Sequence, residues 1–369
     1  MPDSASAIRT EPKADPCALG DVVATFEEWL HLPDPGALEA VLATVAANRV
    51  ETFDPLWLLV VGPSGGGKTE TIAGISGLAD VHQAATMTEA ALLSGTSRRE
   101  KAATAKGGLL REVGDFGILT LKDFGSVLSM HRDARAAVLA ALREIFDGEW
   151  TRHVGTDGGQ ALHWAGKLGL IAGATPAIDQ HHAVLSQLGE RFVFYRLSVG
   201  AAGSKARRSL RHQGREREMR KALREAVCGL FAALDLSDVP AVTKADEDRL
   251  VALTTLVARA RSPVVRDSYR RELELVPDAE APGRLIGVLA RLLTGLRMIG
   301  TTNSEAWRVT VKAGFDSMPA ARPEAVELLV TRNAPATTTE VATKLGLPNP
   351  SMHRVLEDLA AHGVLVRER

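Results

Sequence analysis

The stretch LLVVGPSGGGKTETIAGI, residues 58–75, runs from four apolar residues into a glycine-dense loop that ends in a lysine and a threonine. The apolar residues predict a strand buried on both faces, and the residues after the loop can form a helix. Gly62, Gly67, Lys68 and Thr69 match the pattern G-x-x-x-x-G-K-[ST] in this strand–loop–helix setting. Glycines permit a tight turn whose N–H groups converge on phosphate oxygens, and the helix presents its positive N-terminus to the same anion. The stretch therefore predicts a phosphate-binding loop rather than a glycine-rich turn with a chance lysine.

The loop predicts ATP and Mg²⁺ as cofactors. Lys68 would reach the β- and γ-phosphates, and the hydroxyl of Thr69 would ligate the metal. Such a site needs a carboxylate at the end of a neighbouring strand, and Asp123 follows the apolar run GILTL, residues 117–121. The alternative is an ordinary acidic turn residue after a strand. The residues expected to contact the nucleotide are Gly62, Pro63, Ser64, Gly65, Gly66, Gly67, Lys68, Thr69 and Glu70.

Length and composition are typical of a soluble globular protein with two or three domains. The chain has 369 residues, of which 45% are hydrophobic and 24% are charged. Its net charge of -1 excludes a global basic field, so any nucleic-acid surface must be a local patch. Cys17 and Cys228 have no metal-ligand spacing and favour a reducing cytoplasm. The polar N-terminus does not resemble a signal peptide, and no apolar run reaches membrane-spanning length.

Apolar runs alternate with helical segments through the first two hundred residues. PLWLLVV at 55–61 and GILTL are followed by LGLIAGA at 168–174 and FVFYRLSV at 192–199, with helical patterns between them. Strands that alternate with helices imply parallel pairing, because each helix carries the chain back to the end of the sheet where the previous strand began. The sequence therefore predicts an α/β fold with a parallel sheet, followed by helical segments.

These features resemble the AAA+ ATPases, and the resemblance extends from about residue 21 to the end of the chain. GLIAGATPAID is similar to the core strand that ends in a polar sensor, here Thr175, where many members have asparagine. LGERFVFYRL resembles the segment that supplies an arginine finger to the neighbouring subunit, with Arg191 as first choice and Arg196 as second. APGRLIGVLARLLTGL resembles the lid helix whose early arginine, here Arg284, senses nucleotide. The alternatives are a locally salt-bridged arginine for the finger and a solvated helix residue for Arg284.

One position departs from the family. Many members have a glutamate directly after the aspartate, where it orients the attacking water, but here Phe124 follows Asp123. Either another carboxylate, such as Asp115 or Glu144, reaches the water, or hydrolysis is slow.

A β-hairpin is predicted just ahead of the sensor strand, because WTRHV and ALHW flank the turn TDGG. A hairpin in this place resembles the pre-sensor-1 β-hairpin branch of the AAA+ proteins. That branch includes minichromosome-maintenance helicases, viral and plasmid helicases and bacterial enhancer-binding activators. In ring-shaped members the hairpin enters the central channel and touches nucleic acid, which makes Arg152, His153 and His163 candidates for phosphate contact. A purely structural hairpin is the alternative.

Two further basic segments are candidate nucleic-acid surfaces. The stretch SGTSRREKAATAKGG at 94–108 carries Arg98, Arg99, Lys101 and Lys106 among small residues that cannot pack. The stretch KARRSLRHQGREREMRKALRE begins at Lys205 and is also rich in arginine. The first segment is equally well explained as a solvated loop. For the second, the solvated face of a lid helix is the more frequent explanation of such a charge run.

The last fifty residues resemble a winged helix–turn–helix. ARPEAVELLVTRN, TTTEVATKLG and NPSMHRVLEDLAAHG predict three helices, and GVLVRER is expected to begin a strand. The third helix would expose Ser351, His353 and Arg354 to a DNA groove while Met352 and Leu359 pack inward. Winged helices also dock proteins, so DNA binding here is an interpretation by fold analogy.

We expect an ATP-dependent, ring-forming motor on nucleic acid, such as a DNA helicase, translocase or helicase loader, with a mobile element as a candidate source. The expected partners are single-stranded DNA in the channel, duplex DNA at the winged helix, and identical subunits in a hexamer. The alternatives are an ATP-switched DNA-binding regulator or defence factor with slow hydrolysis, and a nucleotide-dependent scaffold. The expected domains are a flexible tail (1–20), an N-terminal helical segment (21–50), an AAA+ α/β ATPase core (51–203), a helical lid (204–315) and a winged helix–turn–helix (316–369).

Overall fold

The computed structural model describes residues 14–94, 107–155, 159–185, 189, 191–198, 200, 202–267 and 269–368. The strands are β1 (Trp57–Val61), β2 (Val81–Ala84), β3 (Phe116–Leu121), β4 (Glu149–Val154), β5 (Gln160–Ala165), β6 (Lys167–Ala174), β7 (Phe192–Arg196), β8 (Val265–Arg266) and β9 (Leu273–Leu275). The α-helices are α1 (Leu19–Trp29), α2 (Gly36–Arg49), α3 (Lys68–Ala73), α4 (Glu89–Leu92), α5 (Leu109–Val113), α6 (Gly125–Leu128), α7 (Arg132–Phe146), α8 (His182–Leu185), α9 (Ala202–Arg211), α10 (Glu216–Ala233), α11 (Lys244–Arg261), α12 (Gly283–Met298), α13 (Asn303–Asp316), α14 (Ala321–Arg332), α15 (Thr338–Leu345) and α16 (Asn349–Ala361).

The centre of the fold is a five-stranded parallel sheet in the order β2-β3-β6-β1-β7. All four apolar runs of the sequence form strands of this sheet, so the predicted α/β class is confirmed. The fifth strand, β2, has the sequence VHQA and was not predicted. It has four residues, two of them polar. As the outermost strand it pairs only with β3 among the described strands and is less buried than the central strands, so it lacks the continuous apolar run that predicted the others.

Each face of the sheet has its own apolar core, because successive side chains of a strand point to opposite faces. On one face Leu58 and Val60 pack with α2 and the lid helices. On the other face Trp57, Leu59 and Val61 pack with α7 and the β4–β5 hairpin. The phosphate loop follows β1 directly, so its position is fixed by a strand that is buried on both sides.

Helix α2 lies between the sheet and the lid, and its residues 36–48 are all buried. Its Asn48 side chain bonds both the N–H and the carbonyl of Leu56 at 2.9 Å, which fixes the start of β1. Helix α12 approaches so closely that a Cβ added at Gly295 would lie 2.2 Å from Ala43 O. The segment 21–50 therefore joins the sheet to the lid through α2.

The lid region departs from the expectation that residues 204–315 are entirely helical. A small antiparallel hairpin, β8–β9, stands between α11 and α12. Its strands have two and three residues, too few for an alternating apolar pattern to indicate them.

The C-terminal unit contains the three predicted helices, α14, α15 and α16. Thr337 and Glu340 form the expected capping box at the start of α15, and Gly346 ends that helix at φ 65°. The expected strand in GVLVRER is wrong for the described residues 363–368, which contain none. The N–H groups of Val364 and Leu365 instead donate to Leu359 O at the end of α16.

Candidate nucleotide-binding site

Three adjacent strands, β3, β6 and β1, end at the same edge of the sheet, here called the carboxyl edge. Gly62 N–H, at the start of the phosphate loop, donates to Ala174 O at 3.0 Å, so Thr175 lies beside the loop. On the other side of β6, Phe124 N–H donates to the carbonyl of the residue before Ala174 at 2.7 Å. The phosphate loop, Asp123 and Thr175 therefore meet at one edge, as parallel strands require.

The phosphate loop has the backbone geometry of an anion cradle. Gly65 and Gly67 have φ of 69° and 94°, conformations that L side chains rarely adopt. At neither position would an added Cβ meet a heavy atom within 4 Å, so the loop is open on that side. A tight turn is closed by Gly66 N–H, which donates to Pro63 O at 2.9 Å.

Lys68 is held inside this loop, with its side chain 8% exposed. Its Nζ donates to Gly62 O at 2.6 Å and to Pro63 O at 2.8 Å. Burial lowers the pKa of Lys68, the carboxylate of Asp123 opposes that shift, and the ammonium of Lys205 adds to it. Lys68 is thus within electrostatic reach of a carboxylate from β3 and of a second cation.

Thr69 and Asp123 are exposed, and their oxygens are the hard donors that Mg²⁺ prefers. One carboxylate oxygen of Asp123 accepts the N–H of Gly125 at 2.9 Å, which fixes its rotamer. The residues at the carboxyl edge therefore fit a Mg²⁺-bound nucleoside triphosphate: the loop amides and Lys68 suit its phosphates, and Thr69 with Asp123 suits the metal.

Thr175 precedes a short 3-10 helix, residues 176–181, and serves as its N-cap. The cap is made by the backbone alone, since Thr175 O accepts Ile178 N–H at 3.0 Å and the Thr175 side chain makes no capping bond. Its half-buried hydroxyl is thus not used to stabilise the helix.

The structure gives no support to either carboxylate suggested as a water-activating group. Phe124 is buried and packs against Phe192, with ring centroids 5.3 Å apart. Asp115 precedes β3, and its carbonyl accepts the N–H of Lys167 at the start of β6. Glu144 lies near the end of α7. Asp115 therefore lies at the end of the strands opposite the phosphate loop, here called the amino edge. Glu144 lies three residues before Asp147, which pairs with Arg191 at that same edge.

Arg191 also lies at the amino edge. It directly precedes β7, whose first residue, Phe192, pairs with Trp57 at the start of β1. The Arg191 guanidinium is 5% exposed and donates from Nη2 to the two carboxylate oxygens of Asp147 at 2.7 and 3.0 Å. It also lies over the ring of Phe146, 5.3 Å from the centroid. Five strand residues separate Arg191 from the loop end of β7, about 16 Å at the usual rise per residue.

Arg284, in the first turn of α12, is a neighbour of Arg191. A Cβ added at Gly189 would lie 3.3 Å from Arg284 Nη1 and 3.5 Å from Arg191 Nη1. Arg284 is exposed and borders a cavity of about 500 Å³ that Lys167 and Asp147 also line. The structure thus brings the predicted finger, Arg191, and the predicted lid sensor, Arg284, together. They meet at the edge of the sheet remote from their own chain's phosphate loop.

Arg196, the second choice for a finger, is engaged within the chain. Its guanidinium makes two bonds to Asp179, at 2.9 and 2.7 Å, and also donates to the carbonyls of Asp316 and Met318. These contacts tie the end of β7 to α13 and to the segment after the sensor strand.

Sequence reasoning missed two groups at the phosphate loop. Lys205, in α9, is half-buried and contributes to the lowered pKa of Lys68. Arg220, in α10, forms a bidentate pair with Glu70 at 2.8 and 3.1 Å, so Glu70 is committed to the lid. Both cations belong to the arginine-rich stretch that begins at Lys205. The sequence does not indicate which residues of that stretch face the phosphate loop.

The predicted hairpin is present as β4–β5, an antiparallel pair. Arg152 is not available at its surface as expected, since its side chain is half-buried and donates from Nη1 to Leu93 O at 2.6 Å. The opposite face of the hairpin is exposed and carries His153 and His163. His163 is paired across the strands with Thr151 at 3.0 Å. Of the other predicted channel residues, Arg98, Arg99 and Lys101 lie outside the described residues.

The C-terminal candidates for DNA contact, His353 and Arg354, are exposed on α16, as is Ser351. Met352 and Leu359 are fully buried and fix the helix against α14 and α15. The model of the IclR helix-turn-helix domain matches residues 325–369. The chain therefore carries an IclR-type helix–turn–helix at its C-terminal end.

Solved structures of ATPases and helicases share features of the fold. A full-length MCM homolog from Methanopyrus kandleri is 15% identical over 84% of this chain and 64% of its own, with a TM-score of 0.46. SCCmec type IV Cch, an active helicase, is 9% identical over 87% and 55%, with a TM-score of 0.38. NtrX from Brucella abortus, in complex with ATP, is 16% identical over 92% and 72%, with a TM-score of 0.31. All three TM-scores lie below 0.5, so these likenesses carry no argument for function.

The chain spans less than two thirds of the MCM homolog and of Cch. No curated protein matches it. Among the described residues, no helix is both long enough and apolar enough to cross a membrane.

Proposed function

We propose that the protein is an ATP-dependent AAA+ motor of the pre-sensor-1 hairpin branch that acts on DNA as a ring of identical subunits, a hexamer being the expected form. The observation that carries the proposal is the meeting of the phosphate loop, Asp123 and Thr175 at the carboxyl edge of a parallel sheet. Loop amides and Lys68 would bind the phosphates, and Thr69 with Asp123 would hold Mg²⁺. Bound Mg²⁺ would neutralise charge on the phosphoryl oxygens.

The position of the two arginines supports an assembly of subunits. Arg191 and Arg284 lie side by side at the amino edge, and both are too far from their own phosphate loop to act on a nucleotide bound there. In a ring built by head-to-tail contacts, the amino edge of one subunit can face the phosphate loop of the next. A guanidinium delivered in this way would stabilise the charge that develops on the transferred phosphoryl group.

DNA is the favoured partner for two reasons. The IclR-type helix–turn–helix presents His353 and Arg354 to solvent, in the first half of the helix that would enter a groove. The exposed face of the β4–β5 hairpin carries His153 and His163, which would contact phosphates if the hairpin enters the channel of a ring. The domain limits given above, with the lid from 204 to 315, remain part of this proposal.

A second function, an ATP-switched DNA-binding regulator, is favoured by the region after Asp123. Phe124 is buried where many AAA+ ATPases have a glutamate, and Asp115 lies at the other edge of the sheet. Slow hydrolysis suits a switch, in which the bound nucleotide sets the assembly state, better than it suits a fast motor.

The two functions are tested with purified full-length protein and its Lys68→Ala variant. A motor requires ATP hydrolysis that single-stranded DNA stimulates, together with ATP-dependent displacement of an annealed strand, and both are lost in Lys68→Ala. A regulator requires sequence-specific duplex binding that ATP alters, with slow hydrolysis insensitive to single strands. A wild-type protein that binds no Mg-ATP would contradict both.

A further inference from the structure

The helix–turn–helix of this chain has no strand after α16 among the described residues, but a β-hairpin from another part of the chain lies against that helix. The hairpin is β8–β9 of the lid. Its strand residue Arg266 donates from Nη1 to the Glu357 carboxylate at 2.7 Å and from Nη2 to the Asp358 carboxylate. Arg266 Nη2 also lies 3.4 Å from Arg354 O. One guanidinium therefore joins the hairpin to side chains and backbone of α16.

A second arginine, Arg322, also holds α16 in place beside the hairpin. Arg322, in α14, is buried and donates to Asp358 at 2.8 Å, and it also donates to Ala260 O and Ser262 O at the end of α11. Asp358 thus accepts from the hairpin and from α14 at once. Because these charges are largely removed from water and paired in fixed geometry, the hairpin and α16 are held as one unit.

The turn of the hairpin is ordered by Asp267. Its carboxylate accepts the N–H groups of Tyr269 and Arg270 at 2.9 and 2.5 Å, and its carbonyl accepts that of Arg271 at 3.1 Å. Hydrogen bonds to these amides hold the pKa of Asp267 below its usual value, so it keeps its charge at neutral pH. Arg271 has φ 62°, and its carbonyl accepts from Arg266 Nη1 at 2.9 Å.

In the described part of this turn, Tyr269, which is 91% exposed, Arg270 and Arg271 present their side chains to solvent. A fully exposed aromatic side chain beside two arginines has no packing role in the described structure. The acidic residues Glu272, directly before β9, and Glu274, within β9, follow the two arginines, so the positive charge is confined to the tip. Arginines suit phosphate oxygens, and an exposed tyrosine suits the sugar–phosphate backbone through its ring and hydroxyl.

We propose that the β8–β9 hairpin is the wing of this helix–turn–helix: Tyr269, Arg270 and Arg271 contact the backbone of the duplex DNA whose groove α16 enters. The inference rests on the proposed binding of duplex DNA by the helix–turn–helix. It differs from the sequence-based expectation, in which a strand begins after the third helix. The wing comes instead from the lid, so DNA contact and the nucleotide-dependent lid share one element.

The proposal is tested by measuring duplex DNA affinity at several salt concentrations with the full-length protein. The double variant Arg270→Ala/Arg271→Ala removes two charges at the tip and touches no buried group. The matched control, Arg132→Ala/Lys244→Ala, removes two exposed basic residues from α7 and α11, outside every candidate nucleic-acid surface named above. A third variant, Arg354→Ala, alters α16 itself. All three are compared with wild type by thermal unfolding.

The wing predicts that the tip variant binds duplex at least tenfold more weakly, with a slope of log affinity against log salt about 1.8 smaller, since two phosphate contacts are lost. The Arg132→Ala/Lys244→Ala control should bind as wild type does. If Arg354→Ala weakens binding but the tip variant matches this control, the wing is wrong and the helix–turn–helix still binds DNA. If wild type binds no duplex of any sequence in a random pool, the DNA-binding proposal itself fails, and the wing with it.

Discussion

Arg191 donates two hydrogen bonds to Asp147, yet the two side chains differ sharply in exposure: that of Arg191 is 5% exposed and that of Asp147 is 55% exposed. The guanidinium of Arg191 is therefore buried, and the carboxylate of Asp147 lies between it and solvent. An anion that approaches from outside meets Asp147 first. Arg191 can reach a phosphate of a neighbouring subunit only by exchanging Asp147 for it, which makes Asp147 a competitor for that role.

The two candidate finger arginines are predicted to behave differently when removed. Arg191→Ala should bind Mg-ATP within about twofold of wild type and hydrolyse it about a thousandfold more slowly, because fingers act on the transition state. Arg196→Ala should mainly lower the melting temperature, since Asp179 loses its bidentate partner. Turnover at saturating ATP and thermal unfolding measure the two effects. Normal hydrolysis by an Arg191→Ala oligomer of wild-type size would refute the finger.

Lys205 is predicted to contribute to nucleotide affinity within the same subunit. Its ammonium lies close enough to lower the pKa of Lys68, and its own pKa is lowered by burial. Lys205→Ala should raise the Kd for Mg-ATP about three- to tenfold, up to about 1.4 kcal/mol. Arg207→Ala, an exposed neighbour on the same helix, is the control and should leave the Kd unchanged. Equal Kd values for the two variants would remove Lys205 from the site.

Glu39 predicts an unusual pH dependence of stability. Its carboxyl is 7% exposed, and Oε2 has no hydrogen-bond partner among the described residues. Burial raises the pKa of Glu39 to about 7, with Glu305 and Asp34 adding to the shift and Arg308 opposing it. The folded state therefore favours the protonated acid. The contribution of protonated Glu39 to stability is fully present below the pKa of this group in the unfolded chain and is lost as pH rises through about 7.

Glu39→Gln should remove this dependence. At pH 8 the variant should be more stable than wild type, by on the order of 3 kcal/mol at most, and the difference should vanish toward pH 4. Urea unfolding of both proteins between pH 4 and pH 8 measures it. A difference that stays constant across this range would mean that Glu39 does not titrate there.

Asp246 is predicted to be the most important single carboxylate for the lid. It is 3% exposed, accepts two hydrogen bonds from Arg297 at 2.9 and 2.8 Å, and accepts Trp307 Nε1–H at 3.1 Å. The bonds from Arg297 lower its pKa strongly, so its contribution is present at neutral pH and is lost in acid. Asp246→Ala should cost about 3 kcal/mol or more, because Arg297 keeps its charge without a partner.

The control for this prediction lies two residues along the same helix. Asp248 is 71% exposed and faces Lys244 at 3.3 Å, so Asp248→Ala should cost less than about 1 kcal/mol. Chemical denaturation at pH 7 compares the two variants. Similar losses would mean that the buried network around Asp246 does not stabilise the lid.

Local sequence carried the information for the carboxyl edge of the sheet. Apolar runs predicted four of its five strands. The end of one such run predicted that Asp123 lies beside the phosphate loop, and the resemblance to the AAA+ ATPases implied the same for Thr175. The three C-terminal helices were predicted because a capping box, a glycine and prolines mark their ends. In each case a short stretch of sequence contains the physical cause.

The amino edge depended on tertiary packing and was not predictable in the same way. Arg191 and Arg284 are far apart in sequence and meet only because α12 packs across α2 beside the start of β7. Arg152 was a candidate for phosphate contact because its hairpin resembles the channel hairpin of the AAA+ proteins, but its guanidinium donates to Leu93 O. The β8–β9 hairpin depends on Arg266 and α16, and not on an apolar pattern of its own.

The central claim is that a nucleotide bound by one subunit is hydrolysed with Arg191 of the next, and mixing two inactive variants tests it most directly. Lys68→Ala lacks a working loop and Arg191→Ala lacks the finger, so neither hydrolyses ATP alone. In equal mixtures that form mixed rings, about a quarter of the head-to-tail interfaces pair an intact loop with an intact Arg191. The account predicts hydrolysis near that fraction of wild type, and mixed oligomers that remain inactive would contradict it.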